Sequence, residues 1–131
     1  GYRTDLKALE IVSAALGLKL YSLELADPRF YHLDTCFCVV SSNKAIYYPP
    51  AFKKGEIKKL ERKIELIPVS ENDARLFMCN SMLVGKKLLI PDITASINTK
   101  LKNTLGIDTV YVNVSEFLKS GGSIQCLSLR I

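Results

Sequence analysis

Hydrophobic residues recur along this chain with helical spacing in some stretches and with strand-like spacing in others. Residues 4–16 are predicted to form a helix that ends at Gly17, because four apolar residues share one of its faces: Leu6, Leu9, Val12 and Leu16. Further helices are predicted at about residues 53–63, in a short stretch after Ser70, and from Asp92 to Gly106.

Shorter apolar runs, bounded by turn-forming residues, predict strands at residues 18–25, 36–40, 45–48, 64–69, 82–84, 88–90, 109–114 and 124–130. Ser41–Lys44 and Gly85–Lys87 are predicted to be hairpin turns, and Pro49 and Pro91 lie where the second strand of each hairpin ends. Helices that alternate with strands in this way predict an α/β fold.

An internal repeat of about 45 residues relates these segments. Val69-Ser70-Glu71 recurs as Val114-Ser115-Glu116, and Asp34-Thr35-Cys36 aligns with Asn80-Ser81-Met82 and with Gln125-Cys126-Leu127. Each unit has the order strand, strand, helix, strand. Equivalent units favour rotation about a shared axis, as in a β/α propeller, and polar residues such as Asn80 would then face that axis.

The repeat also predicts how much of a propeller this chain contains. It holds about two whole units and two partial ones, whereas a propeller needs at least about four blades to close. We therefore expect residues 1–131 to be the C-terminal part of a single β/α-propeller domain. The missing units would come from an N-terminal half or from a second chain, which could make the protein a homodimer.

Composition and charge narrow the classes of protein further. The chain has 48% hydrophobic and 24% charged residues, which is typical of a soluble globular domain. It shows no membrane-spanning run and no signal peptide, so we expect a cytoplasmic protein without a membrane partner. The net charge of +5 is concentrated on the predicted helix at residues 53–63. Because no aromatic residues are interleaved with those lysines, a solvated surface is favoured and nucleic-acid binding is not expected.

The cysteines and the only histidine provide the candidate chemistry. The four cysteines form neither C-x-x-C pairs nor a disulfide framework, so we expect reduced thiols and neither a metal nor a cofactor. Cys36, Cys38 and Cys79 are expected to be structural. Cys126 differs, because Gly121-Gly122 precedes it and allows a close backbone approach to a ligand. If a Cys/His pair operates, His32 must be its base, since the chain has no other imidazole.

Several motifs resemble those of the guanidino-group modifying superfamily, which includes dimethylarginine dimethylaminohydrolases, arginine deiminases, arginine dihydrolases and amidinotransferases. The motifs are Gly1-Tyr2-Arg3-Thr4-Asp5, His32-Leu33-Asp34-Thr35, the run from Glu71 through Cys79-Asn80-Ser81 to Gly85, and Gly121-Gly122-Ser123-Ile124-Gln125-Cys126. They resemble the C-terminal half of such an enzyme. The resemblance implies a five-unit β/α propeller, in agreement with the repeat.

The resemblance also implies a role for each candidate site residue. Cys126 matches the nucleophile and His32 the general acid/base. Asp34 matches a carboxylate that holds the guanidinium nitrogens, and Arg3 matches an arginine that binds the substrate carboxylate. Asn80 is a further candidate substrate contact, predicted from the repeat alone.

The sequence departs from the family pattern in two places. Ser123 stands where a third glycine is common, and Gln125 stands where histidine or arginine is frequent. The family's acidic partner of the histidine has no counterpart in residues 1–131.

The expected function is hydrolysis of the guanidino group of arginine or a methylated arginine through a covalent cysteine thiouronium intermediate. Asp34 favours free arginine, because a second carboxylate suits unmethylated nitrogens. The alternatives are an amidinotransferase, an inactive fragment, and a non-catalytic propeller module that binds RNA or an acidic protein.

Overall fold

A computed structural model of the chain describes residues 2–91, 99, 101–103 and 106–129. Its helices and strands are, in order, α1 (Leu6–Leu16), β1 (Phe37–Ser41), β2 (Lys44–Tyr47), α2 (Lys58–Glu61), β3 (Glu65–Pro68), α3 (Glu71–Arg75), β4 (Met82–Val84), β5 (Lys87–Pro91), β6 (Asp108–Val112) and α4 (Ser115–Leu118). Three short 3₁₀ turns lie at Leu33–Thr35, Pro49–Ala51 and Met78–Asn80. None of the helices in these ranges is long and apolar enough to cross a bilayer.

The strands form two three-stranded sheets with the same topology. In the first, β2 pairs antiparallel with β1 and parallel with β3. In the second, β5 pairs antiparallel with β4 and parallel with β6. Strand β4 begins 45 positions after β1, and β6 begins 43 positions after β3. The α/β class is thus confirmed, as small mixed sheets, and the sheets recur at about the predicted spacing.

Each sheet is preceded by a 3₁₀ turn that a side-chain hydroxyl closes. Thr35 Oγ1 donates to the His32 carbonyl at 2.6 Å, and Ser81 Oγ donates to the Met78 carbonyl at 2.6 Å. Both hydroxyl residues are buried. The two turns place Asp34 and Asn80 in equivalent positions, just before β1 and β4.

Two predicted strands and one predicted helix were wrong. Of residues 18–25, only Leu25 makes a β-bridge, with Phe52. Residues 124–127 form turns instead of a strand. The predicted helix at 53–63 shrinks to α2, because Gly55 adopts a φ of +90° that a helix does not allow. The helix predicted from Asp92 to Gly106 lies largely outside the described residues.

The lysines of the predicted helix lie on the surface, and three of them have polar partners. Lys53 pairs with Glu24, Lys59 Nζ lies 2.7 Å from Glu56, and Lys63 donates to the Tyr21 hydroxyl. The carboxylates of Glu24 and Glu56 neutralise part of the local positive charge.

One hydrophobic core joins the two sheets. Its fully buried side chains include Val40 and Ile46 from the first sheet, Met78 from the turn between the sheets, and Leu88 and Ile90 from the second. Helix α1 contributes none of its side chains to this core, and Leu6 and Leu16 are largely exposed.

An ion-pair cluster fixes the segment that leads to His32. The Arg29 guanidinium bonds the Asp27 carboxylate at 2.9 and 3.0 Å, and its other arm reaches Glu71 of α3 at 2.9 Å. Asp27 also accepts the backbone N–H of Phe30 through its carbonyl. The cluster therefore ties residues 27–30 to α3.

We predict that Ile46→Ala lowers the free energy of unfolding by about 2–5 kcal/mol, because it removes a fully buried side chain at the centre of β2. Urea denaturation of the full-length protein measures the loss. Val39→Ala is the matched control on neighbouring β1, since Val39 is 52% exposed; it should change stability by no more than about 0.5 kcal/mol. Equal effects of the two variants would contradict the assigned core.

Protonation of the Asp27 carboxylate should contribute to unfolding of the protein in acid. Hydrogen bonds from Arg29 lower the pKa of the Asp27 carboxyl below its ordinary value, so the unfolded state takes up protons first as the pH falls. The stabilisation is present above the ordinary pKa and is lost as the pH falls through the lowered one. We predict that Arg29→Gln makes the melting temperature fall less steeply with pH on the acid side of neutrality. Lys119→Gln, which removes only the exposed Glu116 pair, should leave that slope unchanged, and parallel curves for all three proteins would refute the assignment.

Candidate active site

The two glycines before Cys126 each allow a specific close approach. Gly121 has a φ of +79°, which residues with a Cβ rarely adopt, and it lets the chain turn after α4. A Cβ on Gly122 would lie 3.3 Å from the Cys126 Cβ. The chain can therefore fold back on itself over residues 122–126, which places Cys126 in an exposed turn.

The side chain of Asn80 fixes the position of that turn. Its Oδ1 accepts the backbone N–H groups of Ser123 at 3.1 Å and Cys126 at 3.2 Å. Its Nδ2 donates to the Asp34 carbonyl at 3.1 Å and to the Asp34 carboxylate at 3.0 Å. The Asn80 carbonyl also accepts the Gln125 N–H. This fully buried amide uses both of its donors and both acceptor positions of its oxygen.

The amide brings a thiol beside a carboxylate. Cys126 Sγ lies 3.5 Å from Asp34 Oδ2, although the residues are 92 positions apart in the sequence. If both residues lay in strands, side-chain alternation would keep them from facing inward together without a bend or bulge. Both lie in turns instead, so both side chains can reach one place. The result is an accessible sulfur next to paired carboxylate oxygens.

Arg3 and His32 are both in contact with Tyr31. The Arg3 guanidinium lies over the Tyr31 ring, 4.5 Å from its centroid. The His32 ring packs edge-on against the same ring, with 5.1 Å between centroids. The Tyr31 hydroxyl donates to the Gly121 carbonyl. Tyr31 therefore links both residues to the segment that leads to Cys126.

The structure thus joins Asp34, Asn80 and Cys126 by hydrogen bonds, and it joins Arg3 and His32 through Tyr31. A direct His32–Cys126 contact stays a prediction. His32 borders a cavity of about 470 Å³ between α1 and residues 21–25. Asp34 borders a second cavity of about 340 Å³, together with Gln125.

Sequence reasoning assigned no role to Tyr31. No local signal in the sequence identifies it, because its contacts with Arg3 and Gly121 join parts of the chain that are far apart in sequence. Burial raises the pKa of its hydroxyl, negative charge on Cys126 raises it further, and Arg3 opposes the shift. These influences place Tyr31 in the electrostatic surroundings of the same site.

The remaining cysteines are buried, which is consistent with the structural role expected for them. Cys36, Cys38 and Cys79 are buried and make no disulfide. Burial raises the pKa of Cys36 to about 12 and that of Cys79 well above its usual value, so both thiols stay protonated and unreactive. Within the described ranges, no three or more His, Cys, Asp or Glu side chains are grouped to hold a metal ion.

Comparison with known protein families identifies the group of proteins to which the chain belongs. The family model for "N,N dimethylarginine dimethylhydrolase, eukaryotic" matches residues 1–131, the whole chain. The chain belongs to this family. The resemblance inferred from the motifs is therefore confirmed at the level of family.

Individual relatives agree with that membership. The chain is 39% identical, over its entire length, to N(G),N(G)-dimethylarginine dimethylaminohydrolase of Mycobacterium tuberculosis, of which it covers 43%. The product-bound N-terminal domain of ArgZ, a cyanobacterial arginine dihydrolase, superposes with a TM-score of 0.94 at 37% identity. That match covers 99% of this chain and 48% of the other. A variant of the same domain, covalently bonded to a reaction intermediate, matches with a TM-score of 0.93 at 37% identity, over 99% of this chain and 48% of the other.

The chain spans about half or less of the length of these relatives. The Cys126 turn, the Asn80 amide and the His32 segment thus all lie in a stretch that matches only part of each relative.

We predict that Asn80→Asp destabilises the full-length protein by about 3 kcal/mol. The new carboxylate cannot donate to Asp34, and it buries a second negative charge beside that residue. Urea denaturation measures the loss. Asn72→Asp adds the same charge on the exposed face of α3 and should cost no more than about 0.5 kcal/mol. Similar losses in both variants would mean that the Asn80 amide does not hold the site together.

Proposed function

We propose that this chain supplies the nucleophile and the general acid/base of a hydrolase that acts on the guanidino group of arginine or of a methylated arginine. The observation that supports this most directly is the accessible Cys126 thiol, held 3.5 Å from the Asp34 carboxylate by the buried Asn80 amide. Membership of the dimethylarginine dimethylhydrolase family supports the same reaction class.

In the first half of the reaction, the Cys126 thiolate adds to the guanidinium carbon. The bond from that carbon to the leaving nitrogen then breaks, and protonated His32 gives its proton to the departing amine. The carbon stays bonded to sulfur as a thiouronium. Covalent catalysis suits this substrate, because charge delocalisation makes the guanidinium carbon a poor target for direct attack by water. The relative that was captured covalently bonded to a reaction intermediate supports this step.

In the second half, neutral His32 takes a proton from a water molecule, and the oxygen of that water adds to the thiouronium carbon. The carbon–sulfur bond breaks while the hydroxyl group on the carbon loses its proton to the released amine or to solvent, which returns the Cys126 thiolate and releases a neutral ureido product. His32 is left protonated, ready for the next leaving group.

Two charged side chains would orient the substrate. The Asp34 carboxylate offers paired acceptors to planar N–H donors and would hold the guanidinium carbon over the sulfur. Arg3 would bind the substrate carboxylate. Asn80 acts by holding Asp34 and Cys126 in place, and its buried amide has no donor left for a substrate contact. Asp34 favours unmethylated nitrogens, and the ArgZ relative, an arginine dihydrolase, agrees with that preference.

We further propose that residues 1–131 form part of a larger β/α propeller. Two sheets of equal topology support this architecture. The exposed apolar side chains of α1 support an additional propeller unit, from an N-terminal half or a second chain, packed against that helix.

We predict that Cys126→Ser lowers kcat by about 10⁴-fold or more on arginine and on its methylated forms, because a serine hydroxyl is a far weaker nucleophile than a thiolate. The assay uses the full-length protein with chromatography of the ureido product, which also separates hydrolysis from amidino transfer to an added amine. Cys38→Ser, which keeps a donor toward the Ser81 carbonyl, is the control and should retain most of the activity.

Intact-mass measurement after rapid acid quenching provides a second readout of the same variants. The wild type and Cys38→Ser should show a substrate-dependent adduct on Cys126, and Cys126→Ser should show none. Turnover that survives in Cys126→Ser would overturn the proposed function.

A further inference from the structure

Tyr31 makes three contacts that the proposed mechanism does not use. Its hydroxyl donates to the Gly121 carbonyl, its ring face lies under the Arg3 guanidinium, and its ring contacts the His32 imidazole. Each contact leads to a different part of the candidate site: the Cys126 turn, the residue that would bind the substrate carboxylate, and the general acid/base. Residues from three separate parts of the chain therefore meet at one side chain.

The contact between Tyr31 and Gly121 is close. A Cβ added to Gly121 would lie 3.3 Å from the Tyr31 oxygen, and the φ of +79° at this residue already disfavours any side chain. The hydroxyl bonds to the carbonyl that immediately precedes Gly122, the residue packed against Cys126. The Tyr31 hydroxyl therefore anchors the residue that leads into the turn, whereas Asn80 holds the turn itself at Ser123 and Cys126.

The aromatic ring acts on the two other residues by a different physical effect. A guanidinium over a tyrosine face is attracted by the negative face of the ring, and this attraction restrains Arg3 although Arg3 is exposed. The tilted contact with His32, at 64° between ring planes, limits the directions in which the imidazole can point. A phenylalanine would keep both ring contacts, whereas a leucine would keep neither.

We propose that Tyr31 is a positioning residue that sets Arg3, His32 and the Cys126 turn in a common orientation for the guanidino reaction. This inference rests on the proposed function for its kinetic consequences. Its two parts are separable, since the hydroxyl acts on the Cys126 turn and the ring acts on Arg3 and His32.

The kinetic experiment compares Tyr31→Phe with Tyr31→Leu in the full-length protein. Tyr31→Phe should lower kcat about fivefold with little change in KM, because only the anchor on Gly121 is lost. Tyr31→Leu should also raise KM for arginine about fivefold, because Arg3 loses its restraint. With an alkylguanidine that lacks a carboxylate, KM should be the same for both variants. Tyr47→Phe removes a phenol hydroxyl from a ring packed on Phe52 and should match the wild type.

The alkylation experiment needs no turnover and so separates this inference from the proposed function. Iodoacetamide should modify Cys126 about fivefold faster in Tyr31→Phe than in the wild type or Tyr47→Phe, because the segment that leads into the Cys126 turn loses its anchor at the Gly121 carbonyl. Cys36, Cys38 and Cys79 should stay unmodified, which shows that the fold is intact.

The outcomes are distinct. An alkylation rate in Tyr31→Phe that equals or falls below that of the wild type overturns the anchoring role, whatever the enzyme turns over. A rise in KM that is the same for arginine and for the alkylguanidine overturns the link between Tyr31 and Arg3. Faster alkylation of Cys126 in a protein that hydrolyses no guanidino compound would uphold the anchoring role and overturn the proposed function.

Discussion

The buried side chain of Asn80 is the interaction on which the site depends. It connects three segments that are 43 and 46 positions apart in the sequence, and its donors and acceptors are all satisfied by backbone groups or by Asp34. Each of these buried hydrogen bonds is costly to lose, because the donor or acceptor left behind has no water molecule with which to form a new bond. The separation of Asp34 and Cys126 is therefore set by protein hydrogen bonds and not by the substrate.

The repeat explains how Asn80 and Asp34 come to face each other. Two 3₁₀ turns, each closed by a buried hydroxyl, lead into β1 and β4 and deliver one polar side chain apiece. The second turn follows Phe77, the only residue other than glycine in the described ranges with a positive φ, at 59°. A left-handed backbone costs such a residue about 1–2 kcal/mol, so packing and the Asn80 bonds must offset this strain.

The sequence predicted the sheets better than it predicted the site. Both hairpins and the parallel strands β3 and β6 follow from apolar runs bounded by turn-forming or polar residues. Residues 124–130 also alternate, yet the backbone N–H groups of Gln125 and Leu127 bond to Asn80 and to nearby carbonyls in place of a neighbouring strand. Hydrophobic alternation cannot reveal such a tertiary bond. Asp34 and Asn80 were found through the repeat and the motifs, whereas Tyr31 depends on contacts across 90 positions that no local pattern records.

The four cysteines differ in exposure, so the accessibility of their thiols is a natural probe of whether the protein is folded. One thiol, at Cys126, faces solvent, while the other three are enclosed by the core that joins the two sheets. Any local opening that separates β1 from β4 must uncover Cys38 and Cys79 together, since these thiols lie at the junction of the sheets. The number of titratable thiols per molecule therefore reports whether the junction is closed, and it does so without an added label.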